Sequence, residues 1–269
     1  MSIQINSVSS FVNSSVSTGI SQKNEQLSNG SRINSAADDA AGLQISDRLT
    51  SGINGNHQAV SNIINGSSLL QTASGGLNQI NDNLQQLREL GIQAGNGTLN
   101  DNDRAAIQQQ ANGILQSIQD TISSTTFGGE ELLTKDSSLS FQAGAESGNN
   151  IDVDTYNVDS QLNTAGLYNV DFTNLASLTT SLTSIDTSLE NIGVIQSEYG
   201  AQQNAFSSRV DSLLNAQENE TAARSRIKDT DYAATVSDQI IQSILEKSSV
   251  SVQAQANISN TRALSLLTP

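Results

Sequence analysis

Proline is missing from the chain until its last residue, Pro269. Average usage of about 5% would place roughly 13 prolines in a sequence of this length. Proline removes a backbone N–H and collides with the preceding helical turn, so its absence leaves long helices uninterrupted. Cysteine is also absent, which excludes disulfides and thiolate metal ligands. Tryptophan is absent and aromatics make up only 3% of the residues. A thick globular core normally draws on aromatic bulk. Here Leu, Ile, Val and Ala must do the packing, which suits helix–helix seams. Basic residues are scarce, 12 Lys and Arg against 27 Asp and Glu, for a net charge of −15. That balance excludes a nucleic-acid binder, which needs a basic face, and adhesion to an anionic membrane surface. No apolar run reaches the ~18–20 residues of a membrane span. The N-terminal segment has neither a basic region nor a continuous apolar core, its first lysine being Lys23. No cleaved secretory signal is expected.

What is present is periodic. Ile5, Val8, Val12, Val16 and Ile20 step by three or four residues, one narrow apolar stripe on a helix. Gly30 breaks it. Ser35 or Asn34 can cap a second helix, with Asp38 and Asp39 in a first turn favourable to the helix dipole. That helix is expected from about residue 42 to about 97, and Leu77, Ile80, Leu84 and Leu87 in it alternate by three and four, a coiled-coil seam. Gly55, Gly66, Gly75 and Gly76 weaken it by ~1 kcal/mol each and permit close approach of a neighbour. After a turn cluster at 95–104, Ile107, Ala111, Ile114, Ile118 and Ile122 predict a shorter helix folding back antiparallel. Alternation between Gly-rich turns predicts a β-hairpin region over about 125–172. A second long seam follows through Leu182, Ile185, Leu189 and Ile192. Val236, Ile240 and Ile244 open a terminal amphipathic stripe that closes in Leu264, Leu266 and Leu267. The fold class is therefore mainly α: long antiparallel coiled-coil helices, a small β-hairpin region, and N- and C-terminal helices that pair. The two terminal stripes are too thin to order a lone monomer. They make sense if many copies bury them together.

No catalytic constellation is found. His57 is the only histidine and reads as a polar residue beside the seam. There is no H-E-x-x-H and no phosphate-binding glycine loop. "DVDTYNVD" hints at a calcium loop, but Asn157 stands where glycine is needed and no Glu follows at the twelfth position. Asp38 and Asp39 are adjacent, point ~100° apart on a helix and are poorly placed to share a proton. No metal, no cofactor and no enzymatic activity are expected.

"SRINSAADDAAGLQISDRLTS", "LQQLRELGIQAGNGTL", "FQAGAESGNNI", "AARSRIKDTDYAA" and the "LSLL" near the C-terminus resemble the signature segments of bacterial flagellin, in order, over nearly the whole chain. About 50 residues lie between the long helical regions, so the resemblance is to a short form lacking the outer inserted domains. The resemblance implies a subunit of the flagellar filament, exported without a cleaved signal through the type III apparatus and polymerising into a hollow, extracellular helical tube used for motility. It implies terminal helices (1–34 and 230–269) forming an inner layer, around them a rod-like domain (35–229), and a comparatively smooth, thin filament. Implied partners are further copies of the chain or other flagellins, the flagellar cap, junction proteins and an export chaperone. A hook–filament junction protein is the alternative; it shares the terminal architecture but not usually all the signature segments. The chain departs from the family pattern at Gln26 and Ser31, where Arg and Leu are usual. In the family a long-helix segment also contacts Toll-like receptor 5. Here it reads "LQQLREL", with Gln86 for the first Arg and with Arg88, Glu89 and Leu90 retained; Gln110 aligns with a family glutamate. Weakened receptor recognition is expected.

Overall fold

The computed structural model describes the backbone of residues 2–267 and the side chains of residues 14–259 and 262. The described elements are α1 (Ser2–Asn29), α2 (Ala36–Ala94), α3 (Asp101–Ser124), the strands β1 (Thr126–Phe127), β2 (Glu130–Glu131), β3 (Ser137–Gln142) and β4 (Asn150–Thr155), α4 (Val158–Thr164), a 3-10 turn (Leu167–Asn169), α5 (Leu175–Lys228) and α6 (Tyr232–Leu267). Contacts group the chain into two compact units, one of residues 54–217 and one of residues 1–53 with 218–269.

In the first of these units, α2 and α5 run antiparallel. Leu178 packs at Gly95, Leu182 at Gly91 and Phe206 at Gly66. Between them, Arg88 pairs with Asp186 at 2.7 Å and Gln196 donates to Asn78 at 3.0 Å. Leu77, Ile80, Leu84, Leu87 and Ile185 are fully buried and Ile192 nearly so, as the heptad spacing requires. The α5 seam is more polar than its leucines suggest. Leu182 and Leu189 are half-buried at its flank, while Ser181 and Ser188 occupy the buried slots. Ser188 returns its hydroxyl to the Ser184 carbonyl at 2.7 Å, which satisfies the buried oxygen.

α2 ends at Ala94, three residues short of the expected end. Asn100 then caps α3: its side chain accepts the Asp103 N–H at 3.0 Å and the Asp103 carboxylate accepts the Asn100 N–H at 3.0 Å. α3 returns along α2, its last residues reaching Gly76, where an added Cβ would lie 2.5 Å from the Thr125 hydroxyl. Ile107, Ala111, Ile118 and Ile122 face the core as the period predicts; Leu115 is buried there and Ile114 only half-buried.

The expected β region is shorter than 125–172. β3 and β4 pair antiparallel from Ser137↔Thr155 to Gln142↔Asn150, and β1 and β2 form a two-residue ladder. From Val158 the chain is helical again, in α4 and the 3-10 turn. Asn157, the residue that spoils the calcium-loop pattern, caps α4 by accepting the Ser160 N–H at 2.9 Å. The hairpin is tied down by Arg209, which donates to the Ala143 carbonyl at 2.7 Å, and by an edge-to-face contact of Phe141 on Phe206 at 6.0 Å.

Candidate assembly surface

The second unit holds both chain ends. α1 stops at Asn29 because Gly30 adopts φ +66°, a left-handed cap that glycine takes without penalty. The chain then passes alongside residues 228–231. The Arg32 N–H donates to the Lys228 carbonyl at 2.6 Å and the Thr230 N–H to the Gly30 carbonyl at 3.0 Å. Gln26, where the family usually has Arg, is buried and donates to the Arg32 carbonyl at 3.0 Å. A neutral amide does this without the desolvation cost of a guanidinium.

The start of α2 divides its work between two carboxylates. Asp38 Oδ2 accepts the backbone N–H groups of Asn34 and Ser35 at 3.0 and 2.9 Å, and Gln22 donates to its Oδ1 at 2.9 Å. These bonds, from Ser35 and Asn34 above all, hold its carboxyl below the ordinary range of an aspartate. Asp39 is extended, and its Oδ1 accepts the Gly42 N–H at 2.9 Å. It therefore caps the long run of α2, so neither Asn34 nor Ser35 does.

Asp231 stands just before α6, and its carboxylate accepts the N–H groups of Ala233 and Ala234 at 2.9 and 3.1 Å. Among the described residues, the side of α6 toward α1 is polar, while α1 carries the half-buried Val16, Ile20 and Leu27. Lys23 bridges to Asp238 at 3.0 Å, Gln239 donates to Asn24, and Tyr232 donates to the Leu27 carbonyl at 2.7 Å. Gly19 seats Gln242 so closely that a Cβ would lie 2.7 Å from its amide oxygen.

The apolar side of α6 is turned elsewhere. Val236, Ile240 and Ile244 are 39%, 53% and 61% exposed. Ile241, Leu245, Val250, Val252 and Ile258 are exposed as well. At 3.6 residues per turn these side chains span about half of the helix circumference, opposite the Gln242–Glu246–Ser249–Gln253 row. The sequence stripe was thus narrower than the face the helix presents; Ile241 and Leu245 lie off its four-residue step. Ile5, Val8, Val12, Leu264, Leu266 and Leu267 lie outside the residues whose side chains are described.

Among the described residues no cluster of three His, Cys, Asp or Glu side chains could hold a metal, and no helix is long and apolar enough to cross a membrane. His57 is exposed on α2. Gln86, Arg88 and Glu89 are exposed, Leu90 is half-buried and Gln110 is exposed on α3.

Residues 4–138 match the bacterial flagellin N-terminal helical region and residues 182–267 the bacterial flagellin C-terminal helical region. A flagellin of Halalkalibacterium halodurans is 36% identical over 245 residues, 90% of either chain. The chain belongs to the flagellin family. It is a structural subunit of a flagellar filament, and flagellins are not enzymes. The phase 1 flagellin of Salmonella naestved is 44% identical over 142 residues, which is 53% of this chain and 28% of that flagellin. The crystal structure of a Bacillus cereus flagellin superposes with a TM-score of 0.52 at 24% identity, over 57% of this chain and 88% of that one. A putative flagellar hook-associated protein from Vibrio parahaemolyticus superposes with a TM-score of 0.61 at 18% identity, over 71% of this chain and all of that one. These two likenesses show the fold alone.

Proposed function

We propose that copies of this chain polymerise into a hollow helical tube in which α1 and α6 (residues 1–34 and 230–269) make an inner layer and the rod-like region (35–229) surrounds it. The observation that carries this is the apolar face of α6. A helix whose described side toward α1 is polar and whose Ile and Val side chains are 39–65% exposed gains about half of the ~1.5–3 kcal/mol of full burial for each one that a neighbour covers. Neighbouring copies are the surface that can bury it. The tube is thin and comparatively smooth, because few residues separate the long helices. It lies outside the cell and serves motility. The chain reaches it through the type III export path without a cleaved signal, with an export chaperone, the cap and junction proteins as partners, and with other flagellins able to share the filament.

The test is electron microscopy of the purified chain with filament seeds or a precipitating salt, beside a copy lacking residues 232–269. Long thin tubes from the full chain and none from the shortened one support the proposal. A full chain that stays monomeric under both conditions overturns self-assembly and points back to a junction-type protein.

Recognition by Toll-like receptor 5 is proposed to be weak. Gln86 and Gln110 are exposed and uncharged where the family presents Arg and Glu, and Arg88 is already paired with Asp186. Loss of two charge-assisted bonds costs ~1.5–3 kcal/mol each. A receptor reporter assay showing full potency would sink this.

A further inference from the structure

The chain contains five Asn-Gly pairs, at residues 29–30, 54–55, 65–66, 96–97 and 112–113. Such a pair carries its own reactive chemistry. The glycine amide nitrogen is a nucleophile without side-chain bulk, and the asparagine carboxamide beside it is an electrophile. All five asparagines are exposed, so exposure does not separate them. Backbone geometry does.

Asn54, Asn65 and Asn112 lie inside α2 or α3, and the glycine after each continues the same helix. There the glycine N–H is committed to the carbonyl four residues back, and only local unfolding frees the nitrogen. Asn29 is the last residue of α1, and the Gly30 peptide beyond it is held, its carbonyl accepting the Thr230 N–H at 3.0 Å. The pair at 96–97 lies wholly outside helix and strand, in the turn between α2 and α3.

In that turn the Gly97 N–H meets no acceptor among the described residues. The Asn96 Oδ1 accepts the Thr98 N–H at 3.1 Å and the Thr98 hydroxyl at 2.9 Å. This side-chain turn folds the carboxamide over the peptide that carries the Gly97 nitrogen. It also aims two donors at the oxygen on which negative charge develops when Cγ is attacked.

We propose that Asn96 is a self-deamidation site, converted by the Gly97 nitrogen without an enzyme. That nitrogen forms a bond to Asn96 Cγ and the Cγ–Nδ2 bond breaks. The amide proton of Gly97 leaves with the departing nitrogen as ammonia, and a succinimide ring remains. Water then opens the ring at either carbonyl, leaving aspartate or isoaspartate at position 96. The net change is amide plus water to carboxylic acid plus ammonia, with nothing oxidised or reduced. In the isoaspartate product the main chain runs through Cγ. The former Asn96 carbonyl oxygen, which accepts the Leu99 N–H at 3.2 Å and the Arg104 guanidinium at 3.3 Å, then belongs to a free carboxylate. The turn loses a main-chain bond and Arg104 gains an anionic partner. Ageing copies thus acquire charge and a loosened α2–α3 turn.

The experiment incubates the full chain in mildly alkaline buffer, native and in urea. Each Asn-Gly peptide is followed by mass spectrometry, with an isoaspartyl methyltransferase assay for the isoaspartate product. In the native chain Asn96 is expected to convert about tenfold or more faster than the other four. In urea the five are expected to convert at similar rates. Gly97 has no positive φ, and a Cβ there would meet nothing within 4 Å, so Gly97→Ala keeps the fold. It is expected to slow the native reaction by about tenfold or more, because a Cβ crowds the attacking nitrogen and narrows its backbone freedom. Thr98→Val removes one donor and is expected to slow it by roughly 2- to 10-fold, while Thr98→Ser restores the rate. A native chain in which another pair converts first, or in which all five are equally protected, overturns the proposal. An Asn96 preference that persists unchanged in urea overturns the folded turn as its cause. A Thr98→Val rate equal to wild type overturns the part given to the hydroxyl.

Discussion

The Asp39 carboxylate and the Gly42 amide meet at 2.9 Å, with Asp39 extended at φ −164° and ψ 97° inside what is otherwise continuous helix. The same contact leaves no room at Gly42. A Cβ there would lie 2.4 Å from the other Asp39 carboxylate oxygen and 2.7 Å from Ile33 Cδ1, and Ile33 is buried. Gly42→Ala is therefore expected to destabilise by ~1–3 kcal/mol despite alanine's better helix propensity. Asp39→Ala should cost ~1 kcal/mol through the lost cap. Urea unfolding of the two variants checks both; a stabilised Gly42→Ala would contradict the close packing.

Ile185→Asp places a carboxylate in a fully buried seam slot. Destabilisation above about 3 kcal/mol is expected from lost packing and an unpaired charge. Circular dichroism melting measures it, and filaments should be lost as a consequence of unfolding. Normal melting with Ile185→Asp would reject the seam assignment.

Ile244→Asp should behave in the opposite way. The side chain is 61% exposed, so melting of the monomer should stay within about 0.5 kcal/mol of wild type. If neighbouring copies bury it, the critical concentration should rise by roughly 10- to 100-fold. Sedimentation of seeded mixtures reads this out, and unchanged polymerisation would remove Ile244 from the assembly face.

Tyr156 gives the alkaline limb its shape. Its phenol donates to the Glu198 carboxylate, and that bond with partial burial pushes its pKa from 10.0 to about 12. The folded state thus favours the neutral phenol. Its stabilising contribution is complete below pH 10 and is lost as pH rises from 10 to about 12. Burial pushes the Tyr199 phenol up as well, at 6.0 Å from Tyr156. Tyr156→Phe is expected to be less stable than wild type at neutral pH and to lose less on going to pH 12; phenolate absorbance followed with unfolding measures this. An identical pH profile for both proteins would count against the bond.

The long helices were legible because the seam period is strong and no proline interrupts it. Leu77, Ile80, Leu84 and Leu87 give both helix and face from spacing alone. Ser181 and Ser188 were not legible: a buried serine that bonds its own helix carries no sequence mark, while the nearby leucines at 182 and 189 attract attention. The break at Asp39 was hidden for a related reason. Aspartate in an alanine-rich start looks like a first-turn acid, and only backbone geometry reveals it as a second cap. The terminal stripes were readable as apolar. That α6 turns a polar side toward α1 among the described residues was not, because which side of a helix meets its neighbour is decided by contacts far apart in sequence.

The outward apolar face of α6 also sets how assembly responds to temperature. Near room temperature, burying Ile and Val side chains is driven by the release of ordered water and carries little enthalpy. Growth of the polymer should therefore strengthen on warming and weaken on cooling. A dilute solution held cold would store the subunit as a monomer, and a rise in temperature alone would set it growing.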